Sequence, residues 1–175
     1  MYKRILVTLD GSEMSEAILP EVSKLASASD VTVHLVTVAE LPSGGVVAET
    51  HPLVVAGAPA PGGVVSVPPS RTLETRGQAI EHAKEELHSY VESKAAGLRK
   101  RGVDVQTQVL IGDPAAEILA YAKAKQIHLI MMATHGRTGL SRVVFGSVAA
   151  RIVSNAGRPV LLVRPPRLSA GSERP

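Results

Sequence analysis

The 175-residue chain has no cysteine. That excludes a disulfide framework, a thiol nucleophile and any thiolate metal site, and it agrees with a cytoplasmic location. Aromatic residues are nearly absent too: Tyr2, Tyr90, Tyr121 and Phe145 are all there are. Proteins that grip single-stranded nucleic acid stack bases on aromatic rings. The net charge of +3 therefore does not point to a nucleic-acid partner, although arginines gather toward the C-terminus (Arg137, Arg142, Arg151, Arg158, Arg164, Arg167). No apolar run approaches the ~18–20 residues of a membrane span, so no membrane association is expected. The run Ile5–Leu9 stops at Asp10, too short for the core of a signal peptide. The phosphate-binding pattern Gly-x-x-x-x-Gly-Lys-Ser/Thr is missing, and so is a Gly-x-Gly-x-x-Gly after the first strand. Neither a Ser-His-Asp set nor a pair of carboxylates can be discerned. His82 and His88 stand six apart on a predicted helix, hence on different faces, which argues against a metal pair.

What is present is a regular alternation. Ile5–Leu9 reads as a strand ending in the turn Asp10-Gly11-Ser12. Met14, Ile18, Val22 and Leu25 follow at helical spacing. Ser12 suits the N-cap, and Pro20 is expected to kink the helix or remove a bond. Val31–Val38 is a second strand. From Glu40 to about Thr75 periodicity dissolves into Pro and Gly. Loops of this length are usually functional or disordered, so 41–75 reads as a mobile surface insertion, with a hairpin through Val46-Val47 and Val64-Val65 as the alternative. Ala79, Ile80, Ala83, Leu87, Val91, Ala95 and Leu98 predict a long helix ending near Arg101-Gly102. Val103–Ile111 alternates as a third strand. Asp113 as N-cap and Pro114 at the first helical position open a helix to about Lys125. A strand over Ile127–Ala133, a helix over Val148–Ala156 and a strand over Pro159–Val163 complete the order. Residues 165–175 read as a disordered tail, leaving 1–164 as one domain.

Such βα alternation with continuous apolar strands predicts a parallel sheet covered on both faces. Ligands of open sheets bind outside the carboxyl ends of the strands, at the switch point. That rule selects Asp10, Val38 and the residues from Ala133 onward. The same place carries the sequence Ala133-Thr134-His135-Gly136, nine residues, then Gly146-Ser147. Glycines let backbone N–H groups approach a phosphate, and a helix start adds unpaired donors and a positive dipole end. Ser147 reads as the helix cap, with Arg137 and Arg142 near enough in sequence to neutralise phosphate. The plain alternative is an ordinary strand-to-helix connection. Asp10 likewise reads either as a ligand contact or as a turn residue bonding its own backbone.

Asp10-Gly11-Ser12, Gly112-Asp113-Pro114 and the Ala-Thr-His-Gly-(nine)-Gly-Ser run together resemble the universal stress protein family, over about residues 2–164 outside the insertion. The resemblance implies a five-stranded parallel α/β sheet of order 3-2-1-4-5, helices on both faces, and a homodimer. One branch of the family binds ATP through Gly-x-x-Gly-(nine)-Gly-Ser/Thr. Carried over by position, Met132, Ala133, Thr134, His135, Gly136, Arg137 and Thr138 would wrap the sugar and phosphates. Gly146, Ser147 and Val148 would donate to the phosphates. Asp10 would face the ribose or a metal, Mg²⁺ or Mn²⁺, and Thr8 and Val38 would line the adenine side. This chain departs from the motif at its first glycine, which is Ala133. A β-carbon there matters where φ is positive or where the nucleotide touches that Cα. His128 stands where the family often has Asp.

The implied function is an ATP-binding stress-response regulator. The alternative is a nucleotide-free dimeric interaction module of the same fold. No residue stands out to activate water, so any ATP hydrolysis is expected to be slow. Pairing through the apolar edge strand Pro159–Val163 is the expected dimer contact.

Overall fold

A computed structural model of the chain describes residues 2–27, 30–40, 76–134 and 146–164. In chain order the elements are β1 (Arg4–Thr8), α1 (Glu13–Glu16), α2 (Leu19–Ser27), β2 (Thr32–Ala39), α3 (Arg76–Arg99), β3 (Asp104–Ile111), α4 (Pro114–Ala124), β4 (Leu129–Ala133), α5 (Ser147–Asn155) and β5 (Val160–Val163). The five strands form one parallel sheet in the order β3-β2-β1-β4-β5. β1 is central, with Ile5 registered against Val33 on one side and Leu129 on the other. The chain builds outward from β1 to β3, then returns to lay β4 on the opposite flank. The crevice between the carboxyl ends of β1 and β4 is therefore the switch point. The expected insertion at 41–75 and tail at 165–175 lie outside the described residues.

Side chains of a strand alternate between its faces, and β1 divides the core accordingly. Ile5 and Val7 join Ile18, Val22, Val33, Leu35, Val91 and Leu98 beneath α2 and α3. Leu6 joins Val36, Ile118, Ala122, Ile130 and Ile152 beneath α4 and α5. On that second face, the one buried imidazole among the described residues is accounted for, because His34 Nδ1 lies 3.0 Å from the Tyr121 hydroxyl. Among the described residues no helix is long and apolar enough to cross a membrane.

The helix expected after β1 is in fact two. Proline has no N–H to give back to the preceding turn, and the chain breaks at Ala17–Ile18, leaving Pro20 in the first turn of α2. Ser12 caps α1 as expected, its Oγ accepting from the Ser15 N–H at 3.1 Å. At the amino end of the sheet His128 takes an acceptor's place: its Nδ1 receives the Lys3 and Arg4 N–H groups at 3.1 and 3.2 Å. Arg158 belongs to the framework, donating to the Ala122 and Ile127 carbonyls at 2.7 and 2.8 Å. The two edges of the sheet differ. β3 presents Asp104, Gln106 and Gln108, whereas β5 is Val-Leu-Leu-Val, with Leu161 42% exposed.

Candidate functional site

A cavity of about 450 Å³ opens at the carboxyl ends of β1, β2 and β4, between the starts of α4 and α5. Thr8 and Asp10 line it from β1, Val38 from β2, and Met132, Ala133 and Thr134 from β4. Gly146, Ser147 and Val148 close the α5 side. The remaining sequence candidates, His135, Gly136, Arg137 and Thr138, lie outside the described residues, as does Arg142. Sequence reasoning missed Leu9, Ser15, Glu40, Pro114, Ile118 and Ala149, which also line the cavity. The strand-end rule, extended two residues past Val38, reaches Glu40. Pro114 and Ile118 follow once α4 is seen to begin where β3 ends. Ser15 has no signal in the sequence beyond its nearness to Asp10.

The two helices that start at the rim begin differently. α4 is closed. Asp113 is its N-cap, and its Oδ1 accepts the Ala116 N–H at 2.8 Å. Pro114, at the first helical position, has no N–H to leave unpaired. The Arg151 guanidinium, 2.7 Å from Asp113 Oδ2, and the Ala116 amide hold the Asp113 carboxyl below the ordinary carboxylate range.

α5 is open. Its N-cap is Gly146, at φ −55° and ψ 157°, which corrects the expectation that Ser147 caps the helix. Periodicity locates a helix to within a residue or two, whereas the cap is decided by backbone angles. Ser147 is the first helical residue instead. The first bond of the ladder runs from Ala150 N–H to Gly146 C=O at 2.9 Å. The Ser147, Val148 and Ala149 N–H groups precede that bond and have no partner within the helix. They meet the rim at the positive end of the helix dipole.

Gly146 also does nothing locally that requires glycine. Its φ is negative, and a β-carbon built there meets no heavy atom of the described residues within 4 Å. Ala133 is equally unstrained. It lies in β4, and among the described residues Gln126, at φ 49°, is the one non-glycine with positive φ. The loss of the motif's first glycine thus carries no backbone penalty. Thr134 is more restricted than expected, because its N–H donates to Val163 C=O at 3.0 Å. It can offer the cavity its hydroxyl but not its amide.

Asp10 sits in the turn that its sequence suggests. Its Oδ1 accepts from the Ser12 N–H at 3.0 Å and the Ser12 hydroxyl at 2.6 Å. Behind the turn, Lys94 Nζ is 2.6 Å from Glu16 Oε2 and ties α3 to α1. Burial, reinforced by Glu16, pushes the Tyr90 hydroxyl up to about 12. Among the described residues no three His, Asp or Glu side chains gather in a way that could hold a metal ion.

Two comparisons with solved structures agree with this architecture. The protein MJ0577 of Methanocaldococcus jannaschii superposes with a TM-score of 0.69 at 24% identity, over 95% of this chain and 99% of that one. A universal stress protein from Archaeoglobus fulgidus, solved in complex with dAMP, superposes with a TM-score of 0.54 at 21% identity, over 92% and 97%. At those identities the likeness shows the fold. Sequence goes further: universal stress protein MJ0531 of M. jannaschii is 33% identical over 168 residues, 95% of this chain and 85% of the relative. The universal stress protein family model matches residues 1–60 and 53–164. With a match of that extent, the chain belongs to the universal stress protein family.

Proposed function

We propose that this protein binds an adenine nucleotide, ATP with Mg²⁺ or Mn²⁺, in the cavity at the carboxyl ends of β1, β2 and β4, as a cytoplasmic regulator of the stress response. The observation that carries this reading is the open start of α5. A polyphosphate buried without donors is costly, and the Ser147, Val148 and Ala149 amides are donors at a positive dipole end. Gly146 supports it, since a glycine with no conformational duty is explained by the clearance a phosphate needs. The A. fulgidus relative, solved in complex with dAMP, supports an adenine nucleotide as the ligand. Asp10 is assigned to the sugar or the metal, Met132, Ala133 and Thr134 to the sugar and phosphates, and Thr8 and Val38 to the base. His135, Gly136, Arg137 and Thr138 are assigned to the sugar and phosphates on the motif alone. Asp10 is the side chain nearest to a role with the metal. We assign no catalytic residue.

The test is calorimetry and thermal melting with ATP and Mg²⁺. Affinity is expected near micromolar, about −8 kcal/mol. Saturation at about 100 times the dissociation constant adds about 2.7 kcal/mol of stability. Gly146→Val should remove that gain while the apo protein still folds. If millimolar ATP with metal gives neither heat nor a melting shift, the nucleotide-free module is the correct reading.

The same domain, residues 1–164, is proposed to dimerise through β5. An unpaired apolar edge invites association, and Leu161 is exposed on it. Sedimentation at micromolar concentration should give about twice the chain mass, and Leu161→Lys should give monomers or insoluble protein. A wild-type monomer across that range refutes the dimer.

A further inference from the structure

α1 has only four residues, too few to persist on its own. It is held by side chains, and those side chains form a closed ring with Asp10. The Ser12 hydroxyl donates to Asp10 Oδ1 at 2.6 Å, and its oxygen accepts the Ser15 N–H at 3.1 Å. The Ser15 hydroxyl donates to Ser12 C=O at 2.9 Å, and its oxygen accepts the Asp10 N–H at 3.2 Å. Each hydroxyl has one proton to give, and each has given it. The directions of all four bonds are therefore fixed, and they fix both the backbone and the carboxylate of Asp10. Ser15 is buried, so water does not compete freely for its bonds. It also lines the cavity beside Asp10.

We infer that Ser12 and Ser15 are positioning residues that orient the Asp10 carboxylate toward the sugar hydroxyls of the bound nucleotide, and so set a preference for ribose over deoxyribose. The inference rests on the nucleotide reading above. A carboxylate accepts hydrogen bonds from a hydroxyl and gains nothing from a hydrogen in its place. Its value as a discriminator depends on holding one orientation before the ligand arrives. An Asp10 free to turn would accept from water as readily as from a sugar.

The experiment is calorimetric titration with ATP, 2′-deoxy-ATP and 3′-deoxy-ATP, each with Mg²⁺, on wild type, Ser12→Ala, Ser15→Ala, Asp10→Ala and the double variant Asp10→Ala/Ser12→Ala. Wild type should prefer ATP over one of the deoxy analogues by at least about tenfold, the range of a charged hydrogen bond. Ser12→Ala and Ser15→Ala should weaken ATP by about three- to tenfold and leave the disfavoured analogue unchanged, narrowing the ratio. In the Asp10→Ala background, Ser12→Ala should have no further effect. Ser12→Thr, which keeps a hydroxyl, should retain the wild-type ratio and guards against a variant that merely fails to fold. Equal weakening of all three nucleotides, or an undiminished Ser12→Ala effect without Asp10, overturns the inference and leaves nucleotide binding standing. So does a wild type that binds all three alike. A wild type that binds none overturns both.

Discussion

α4 and α5 start at the rim of one cavity, yet one start is sealed and the other is not. At α4 an aspartate caps, a proline removes a donor and an arginine neutralises the cap. At α5 a glycine stands where a cap would, and the first amides face outward from the ladder. A side-chain cap and a bound anion satisfy the same orphan donors, so a helix start can have one or the other. On the proposed reading, the pair separates a helix end built for stability from one that meets a ligand. Arg151 makes the division sharper. It lies on α5 but its guanidinium serves the α4 cap, and α5 has no acid in its own first turn.

The strongest way to break the contrast is to close α5 as α4 is closed. Gly146→Asp should abolish ATP binding, because a carboxylate would occupy the donors and repel phosphate. The same change should stabilise the apo protein slightly, by roughly 0.3–1 kcal/mol, since an acid suits a helix start. Calorimetry and apo melting together read the opposite signs. Retained binding would remove α5 from the site. Next in size, Ser147→Ala should weaken ATP by about two- to tenfold, the loss of one hydrogen bond, with apo melting unchanged. Opening α4 should do the converse. Asp113→Ala should lower apo melting by a few degrees and leave the ATP dissociation constant within about twofold, within calorimetric scatter of one weak contact. A large loss of affinity there would mean that α4 also binds the ligand.

The smallest effect sharpens the same comparison with pH. The Asp113 carboxyl is held low by Arg151 and the Ala116 amide. A depressed carboxyl stabilises the fold above its unfolded value and loses that contribution as pH falls through its lower folded value. The melting deficit of Asp113→Ala should accordingly be present at neutral pH and disappear below the ordinary carboxylate range. A deficit constant down to acid pH would show that the cap acts by shape and not by charge.

Much of this was legible from residue order. The strand and helix alternation and the Ser12 and Asp113 caps are local, and local rules found them; at Pro20 they gave a kink or a lost bond where the chain has two helices. Strand order came with the family resemblance, and the sheet bears it out. What escaped was set by partners far apart in sequence. Arg151 reads as one of a run of C-terminal arginines until it is seen against Asp113. Thr134 reads only as part of the loop around sugar and phosphates until its amide is found on Val163. Pro114 and Ile118 enter the cavity because α4 starts at the end of β3 and packs against α5, a contact that no periodicity encodes. The Ser147 misreading was of a different kind: it was an error of one position, where periodicity is blind and dihedral angles decide.

The bond from Thr134 to Val163 has one more consequence. Thr134 borders the cavity and Val163 ends the open edge of the sheet, so a single amide joins the two places where this protein is proposed to meet something else. A bond of this kind is a route by which two sites can be coupled. If nucleotide shifts the association constant of two chains by some factor, association shifts the nucleotide constant by that same factor. Protein concentration is then an effector in its own right, and an affinity measured on dilute protein need not be the one that holds where the protein is abundant.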